Sequence, residues 1–328
     1  MRVHREGQPS YAGVATFGKA PLVLDPADLP GVDVAIVGAP IDETVSYRPG
    51  ARFGPRAIRA ADPNGGVPPS YPNMHLGVDA VHSLSVVDFG DAVVTPADAE
   101  KSHDAIRETV SMVAGAGCVP VVLGGDHSIA HPDVGAVAAA SPGPVGLVHF
   151  DAHADDAPEV YGVVRSHGTP LRLLVEEGSL SGEHIVQVGL RGYWPDPEDF
   201  EWARSRGFRW HLIDEVHDRG IDAVTSDVVA ALSGLDRVFL SVDIDVCDPA
   251  FAPGTGTPEP GGMAGWQLLR SVRRLAAELP IAGMEVVEVS PPYDHADVTA
   301  LLAHRVVLEA LGGMALRKLG RSPRPERP

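Results

Sequence analysis

Short apolar, β-branched runs recur along the chain, each bounded by glycine, proline or polar residues. They predict strands near 33–38, 84–88, 119–123, 145–150, 185–189, 208–213, 237–243 and 282–289. Most of these runs are continuous rather than alternating, which is the pattern of strands covered on both faces in a parallel sheet. Helical spacing fills the intervals. Ile106, Val110, Val113 and Ala114 form one apolar stripe. Thr95 and Pro96 read as its cap and first position, and Gly115 and Gly117 as its end. Further helices are predicted from Pro55 to Ala61 and over 165–177, 197–206, 222–233, 265–278 and 297–314. Strands alternating with helices make βαβ units, hence an α/β fold on a parallel sheet. The count of eight strands fits an open sheet or a closed barrel equally. Without a linker or an internal repeat, the chain reads as one domain over 1–320, followed by a polar, proline-rich tail at 321–328 that is expected to fray. The glycine- and proline-rich stretches 40–55, 62–73 and 249–262 are expected to be long loops around a site.

Composition narrows the function classes. The 328 residues carry a net charge of −18, with an isoelectric point near 5.1. That argues against nucleic acid as a partner and suits a cationic small molecule, although solubility alone also explains an acidic surface. The only two cysteines, Cys118 and Cys247, sit in or beside apolar runs. They read as core residues, so no disulfide framework is implied and a reducing cytoplasm is the expected compartment. Met1–Glu6 leads into polar residues with no apolar signal core, and no run approaches the roughly 18 apolar residues of a membrane span.

Candidate chemistry gathers at the carboxyl ends of three predicted strands: Gly124-Gly125-Asp126-His127-Ser128, Asp151-Ala152-His153-Ala154-Asp155 and Asp243-Ile244-Asp245. Parallel α/β sheets place their sites at such ends. If 151–155 stays extended, positions i, i+2 and i+4 turn carboxylate, imidazole and carboxylate to one face. Four aspartates and two histidines balance two dications with an N/O donor set that suits Mn²⁺ and also admits Zn, Co or Ni. Two such ions side by side lower the pKa of water, so the chain reads first as a metal-dependent hydrolase. Asp126 and Ser128 read as capping or supporting neighbours rather than ligands.

These residues resemble the ureohydrolase family of arginase, agmatinase, guanidinobutyrase and proclavaminate amidinohydrolase. The resemblance runs from about Val34 to Leu311. It rests on GGDHS at 124–128, FDAHAD at 150–155, SHGTP at 166–170, SVDIDVCDPAFAPGTGTPEPGG at 241–262 and EVSPPYD at 288–294, with RPGARFGPRAIR at 48–59 matching the agmatinase side. It implies a three-layer α/β fold, arginase-like, with an open eight-stranded parallel sheet and helices on both faces. It also implies a trimer or hexamer and two metal ions. His127, Asp151, Asp155 and Asp243 would hold one ion, and Asp151, His153, Asp243 and Asp245 the other. Asp151 and Asp243 would bridge them.

The implied reaction cleaves a linear guanidino compound to urea and an amine. Glu288 matches the family's guanidinium-binding glutamate, since a carboxylate pins guanidinium N–H groups by charge-assisted bonds. His167 matches a proton-shuttling histidine. Asp155 could accept the proton of the attacking hydroxide and pass it to the leaving amine. Cys247 reads as packing. Agmatine is the first substrate expected, with 4-guanidinobutyrate, a proclavaminate-type guanidino acid and free guanidine as alternatives. Arg48, Arg52, Arg172 and Arg191 are the candidates for meeting a substrate carboxylate. Two other classes stay open: a two-metal phosphoesterase, which would want basic contacts to phosphate, and a non-catalytic metal-binding protein.

Overall fold

The computed structural model describes residue 9, residues 11–62 and residues 72–321. Most of the loop expected over 62–73, all of the polar tail but Arg321, and Met1–Glu6 lie outside these residues. One sheet contains β1 (Val34–Ala39), β2 (Val86–Asp91), β3 (Val119–Gly124), β4 (Gly146–Phe150), β5 (Ile185–Leu190), β6 (Arg209–Leu212), β7 (Val238–Asp243) and β8 (Ile281–Val287). Their order is β2-β1-β3-β8-β7-β4-β5-β6, every pairing is parallel, and β2 and β6 form the two edges. The sheet is therefore open rather than a barrel.

The helices are α1 (Gly54–Ala60), α2 (Ala80–Ser83), α3 (Ala99–Gly115), α4 (Ala130–Ala140), α5 (Pro170–Glu176), α6 (Pro197–Ser205), α7 (Ile213–Arg219), α8 (Ile221–Leu232), α9 (Gly265–Glu278) and α10 (Val298–Lys318). Successive strand residues point to opposite faces and so feed two cores. Val148, Phe150, Leu240 and Val242 join Val224 of α8, Leu268 of α9 and Val306 of α10. Leu147 and Phe239 join Ile106 and Val110 of α3 and Val134 of α4. This double cover explains why the central strands read as unbroken apolar runs.

The structure departs from the sequence pattern in a few places, each with a local cause. Helix α3 starts at Ala99, where the Asp98 side chain accepts from Lys101 N at 3.1 Å. Thr95 caps nothing. Its N–H donates to Ser102 Oγ, and that hydroxyl donates back to Thr95 O, both at 3.0 Å. Helix α4 was not anticipated, because residues 130–137 are buried all round and carry Pro132 and Gly135, so no amphipathic stripe marks it. The short α2 and α7 were also missed, and Ile213 opens α7 instead of closing β6. Helix α5 begins only at Pro170. Residues 166–169 form a turn in which Thr169 N donates to Ser166 O and Ser166 N to Thr169 Oγ1.

Helix α10 is long and apolar enough to cross a membrane, yet 72% of its apolar window is buried in this fold. It runs to Lys318, past the predicted end at 314, and Gly313 within it serves close packing. A Cβ there would lie 2.6 Å from Arg273 O of α9. The sheet order positions the chemistry. β3, β8, β7 and β4 are consecutive neighbours, so four strand ends from distant parts of the chain share one edge.

The capping geometry gives a direct test. Asp98→Ala should lower the urea midpoint of unfolding, whereas Thr95→Ala should leave it nearly unchanged. The opposite ranking would contradict the assigned helix start.

Candidate active site

At the end of β3 the chain turns through Gly125, where a Cβ would lie 2.3 Å from Ile41 O and 2.5 Å from Ala39 O. Only glycine fits that approach of β1. Asp126 comes next. Its Oδ1 accepts from Ser128 N at 3.1 Å and from the Ser128 hydroxyl, while Oδ2 accepts from Thr44 N and Oγ1 at 3.1 and 3.0 Å. The turn that presents His127 is thereby tied to the loop after β1. Asp151 follows β4 directly, Asp243 ends β7, and Asp245 sits in a 3₁₀ turn whose N–H donates to Asp243 Oδ1 at 2.8 Å.

These side chains converge in two adjoining groups. His127 Nδ1 lies 2.9 Å from Asp151 Oδ2, 2.9 Å from Asp155 Oδ2 and 3.2 Å from Asp243 Oδ2. His153 Nδ1 lies 3.5 Å from Asp151 Oδ1 and 3.2 Å from Asp245 Oδ2. Asp151 thus turns one oxygen to each histidine, whereas Asp243 turns only Oδ2 inward. The segment 151–155 reaches this geometry without staying extended, since Asp155 has φ +51°. That left-handed position curls the second carboxylate back onto His127, correcting the flat i, i+2, i+4 picture. His149 joins the first group. It precedes Asp151 by two residues on the same strand face, a signal available in the sequence and overlooked there.

Electrostatics explains what this arrangement lacks. Burial raises the carboxyls of Asp243 and Asp155, and neighbouring carboxylates raise them further. Burial opposes charge on His127, but the facing carboxylates of Asp151, Asp155 and Asp243 outweigh it and lift the imidazole well above its usual range. His127 Nδ1 and Asp151 Oδ2 are buried and find no hydrogen-bond partner of their own. Carboxylates crowded out of water around unpartnered nitrogen and oxygen donors form a cluster suited to two divalent cations.

Glu288 lies one residue beyond β8 with φ +61°, a strained position for a non-glycine residue. Its Oε1 accepts from His127 N at 2.9 Å and lies 3.1 Å from His167 Nδ1, while the buried Oε2 has no partner. Burial works against a charged His167, and Glu288 overrides it, pushing the imidazole up to about 9. Ser46 N nevertheless donates to His167 Nε2 at 3.1 Å, and Ser46 Oγ lies 2.8 Å from the same nitrogen. The hydrogen bonds therefore describe the neutral ring with its proton on Nδ1.

A cavity of about 420 Å³ opens above the cluster, lined by His153, Asp155, Asp243 and His167 at its base and by Ser46, Thr257, Trp194, Tyr161 and Glu159 toward solvent. Ser46, Thr257, Trp194, Tyr161 and Glu159 were not singled out in the sequence, because they come from separate loops. Three candidate arginines prove to be scaffolding. Arg172 donates to Asp156 O and Asp199 and stacks on Trp202. Arg191 donates to the carbonyls of Asp245 and Glu259, stapling the segment that carries Asp245. Arg52 is paired with Asp42 and Glu43. Arg48 makes no ion pair among the described residues and stacks on Tyr47 and Tyr293. Cys247 is buried in the core.

Residues 32–312 match the arginase family. The chain belongs to the arginase family. As a member it is an enzyme, a hydrolase of guanidino carbon–nitrogen bonds. It is 40% identical over 303 residues to a guanidinobutyrase of Pseudomonas aeruginosa, covering 92% of this chain and 93% of the relative. It is 42% identical over 283 residues to a mitochondrial agmatinase of Gallus gallus, covering 86% and 81%. The solved proclavaminate amidinohydrolase of Streptomyces clavuligerus superposes with a TM-score of 0.86 at 38% identity, over 94% of this chain and all of the other. A Trypanosoma cruzi formiminoglutamase solved with Mn²⁺ superposes at 0.79 and 28% identity, over 87% and 94%. Its arginase-family fold is thus shared with relatives that act on different substrates.

Because the cluster holds carboxylates apart from water, cation binding there should stabilise the fold. A divalent ion at a hundredfold excess over its Kd should add about 2.7 kcal/mol per site. After chelation, the melting temperature should fall by several degrees and recover when Mn²⁺ is restored. A melting temperature indifferent to both treatments would contradict the electrostatic account.

Proposed function

We propose that this enzyme hydrolyses agmatine to putrescine and urea with two Mn²⁺ ions. His127, Asp151, Asp155 and Asp243 would hold one, and Asp151, His153, Asp243 and Asp245 the other. When bound, the ions activate water for attack at neutral pH. The nitrogen and carboxylate donor set suits Mn²⁺, and the T. cruzi formiminoglutamase supports that choice.

The chain's own residues supply orientation and proton transfer. Glu288 Oε2, buried and unpartnered, accepts the guanidinium N–H groups and holds the central carbon at the cavity base. The attacking water gives up one proton to solvent and its second to Asp155. The new carbon–oxygen bond forms as the bond to the amine breaks, and Asp155 returns the proton to the departing nitrogen. His167, linked on one side to Glu288 and on the other to Ser46 at the cavity wall, then carries a solvent proton to the free amine.

The observation that carries the substrate assignment is the charge of the cavity. Among its lining residues the only charged side chain beyond the cluster and His167 is Glu159, and none is lysine or arginine. A cationic amine meets a carboxylate there, with Tyr161 and Trp194 beside it. A substrate carboxylate or a phosphoester meets no positive group. One observation favours a second reading. Arg48, unpaired and two residues from Ser46, would serve the carboxylate of 4-guanidinobutyrate if its side chain swung toward the cavity.

Urea release by the Mn²⁺-loaded protein from agmatine and 4-guanidinobutyrate separates the readings. Agmatine should be preferred. Glu159→Gln should lower kcat/KM for agmatine by about 5–10-fold, mainly through KM, and leave the acid unaffected. Preference for the acid, lost in Arg48→Ala, would establish the second reading instead.

A further inference from the structure

In register with His149 and Ser241, which stand two residues before Asp151 and Asp243, a row of polar side chains crosses four strands where apolar ones would be expected. Gln187 of β5 pairs in register with His149 of β4, His149 with Ser241 of β7, and Ser241 with Glu285 of β8. All four are at most 1% exposed. Buried polar groups in a sheet core cost stability unless they are bonded, and the bonds made here fix proton positions.

Gln187 Nε2 donates to Ala154 O at 2.9 Å. A backbone carbonyl only accepts, so this contact settles which end of the amide is nitrogen. The same nitrogen lies 3.2 Å from His149 Nδ1, which must therefore accept. The ring proton of His149 is then on Nε2, and Nε2 lies 3.2 Å from Asp151 Oδ2, with neither atom bonded elsewhere among the described residues. Across the row, His127 Nε2 lies 2.9 Å from Ser241 Oγ, which leaves Nδ1 facing the carboxylates. The two imidazoles stack with centroids 5.0 Å apart.

We propose that this row orients the metal ligands: His149, held by Gln187 with its proton on Nε2, is a positioning residue that donates to Asp151, and Ser241 Oγ accepts from His127 Nε2, leaving Nδ1 toward the carboxylates. His149 lies close enough to the cluster to pass for a ligand. Its proton excludes that role, because a ligating Nε2 would force Nδ1–H against the amide N–H of Gln187. A carboxylate shared between two ions needs its plane fixed, and a fixed N–H donor behind it does so. The proposal rests on the metal-binding reading of the cluster.

The test uses the full-length protein with Mn²⁺ as the probe. Wild type should bind two ions. His149→Phe and the near-isosteric Gln187→Met should still bind two, each with affinity for the weaker ion reduced about 10–100-fold. His149→Gln, which keeps an N–H donor, should restore part of the loss. Nitrogen NMR of ¹⁵N-histidine-labelled, metal-free wild type should show His149 protonated on Nε2 alone at neutral pH. Loss of one whole ion in His149→Phe, with no effect of Gln187→Met, would make His149 a ligand and overturn the proposal. A proton on Nδ1 would overturn it equally. If wild type bound no Mn²⁺, the metal reading would fall, while the tautomer would still be decided by its own spectrum.

Discussion

Negative charge concentrated away from water is the constraint around which the catalytic end of this molecule is built. Asp151, Asp155, Asp243 and Asp245 are all at least nine-tenths buried, and the imidazoles of His127, His149 and His153 are the groups that face them. Such a cluster is tolerable only if its geometry is imposed from outside and its charge is met by cations. The scaffold imposes the geometry in several ways. The sheet order brings four strand ends together, Gly125 lets β1 press against the His127 turn, and left-handed Asp155 and Glu288 bend their side chains inward. Arg191 reinforces the arrangement from below by binding the carbonyls around Asp245.

Much of this was legible in the sequence, for definite reasons. Strands buried on both faces leave continuous apolar runs, so all eight appear, and metal-binding residues adjacent in sequence leave short clusters. The open sheet came from the family resemblance, since periodicity alone left a barrel equally possible. Helix α4 was invisible because burial on every side erases the stripe that periodicity detects. Helix α3 starts later than the expected cap Thr95, because Thr95 bonds Ser102 and Asp98 takes the capping bond from Lys101 N. Glu288 looked like the end of a strand, yet its useful property is that the strand has already stopped.

Long-range partners explain what the sequence withheld about the site. Arginines at 52, 172 and 191 are alike in sequence, and only the fold shows each committed to a carboxylate or carbonyl. His149 and Gln187 are 38 residues apart and meet through strand register. The cavity wall is drawn from loops around residues 46, 160, 194 and 257, so its acidic character could not be summed from any local motif. The reaction is therefore written near the strand ends, where sequence patterns are short and rigid, and the choice of substrate is written in loops.

The central claim is that the buried carboxylates hold two cations sharing Asp151. Anomalous diffraction from crystals grown with Mn²⁺ tests it most directly. The account predicts two peaks about 3.5–4 Å apart, one beside His127 and one beside His153, with Asp151 between them. A single peak, or peaks away from these residues, would contradict it.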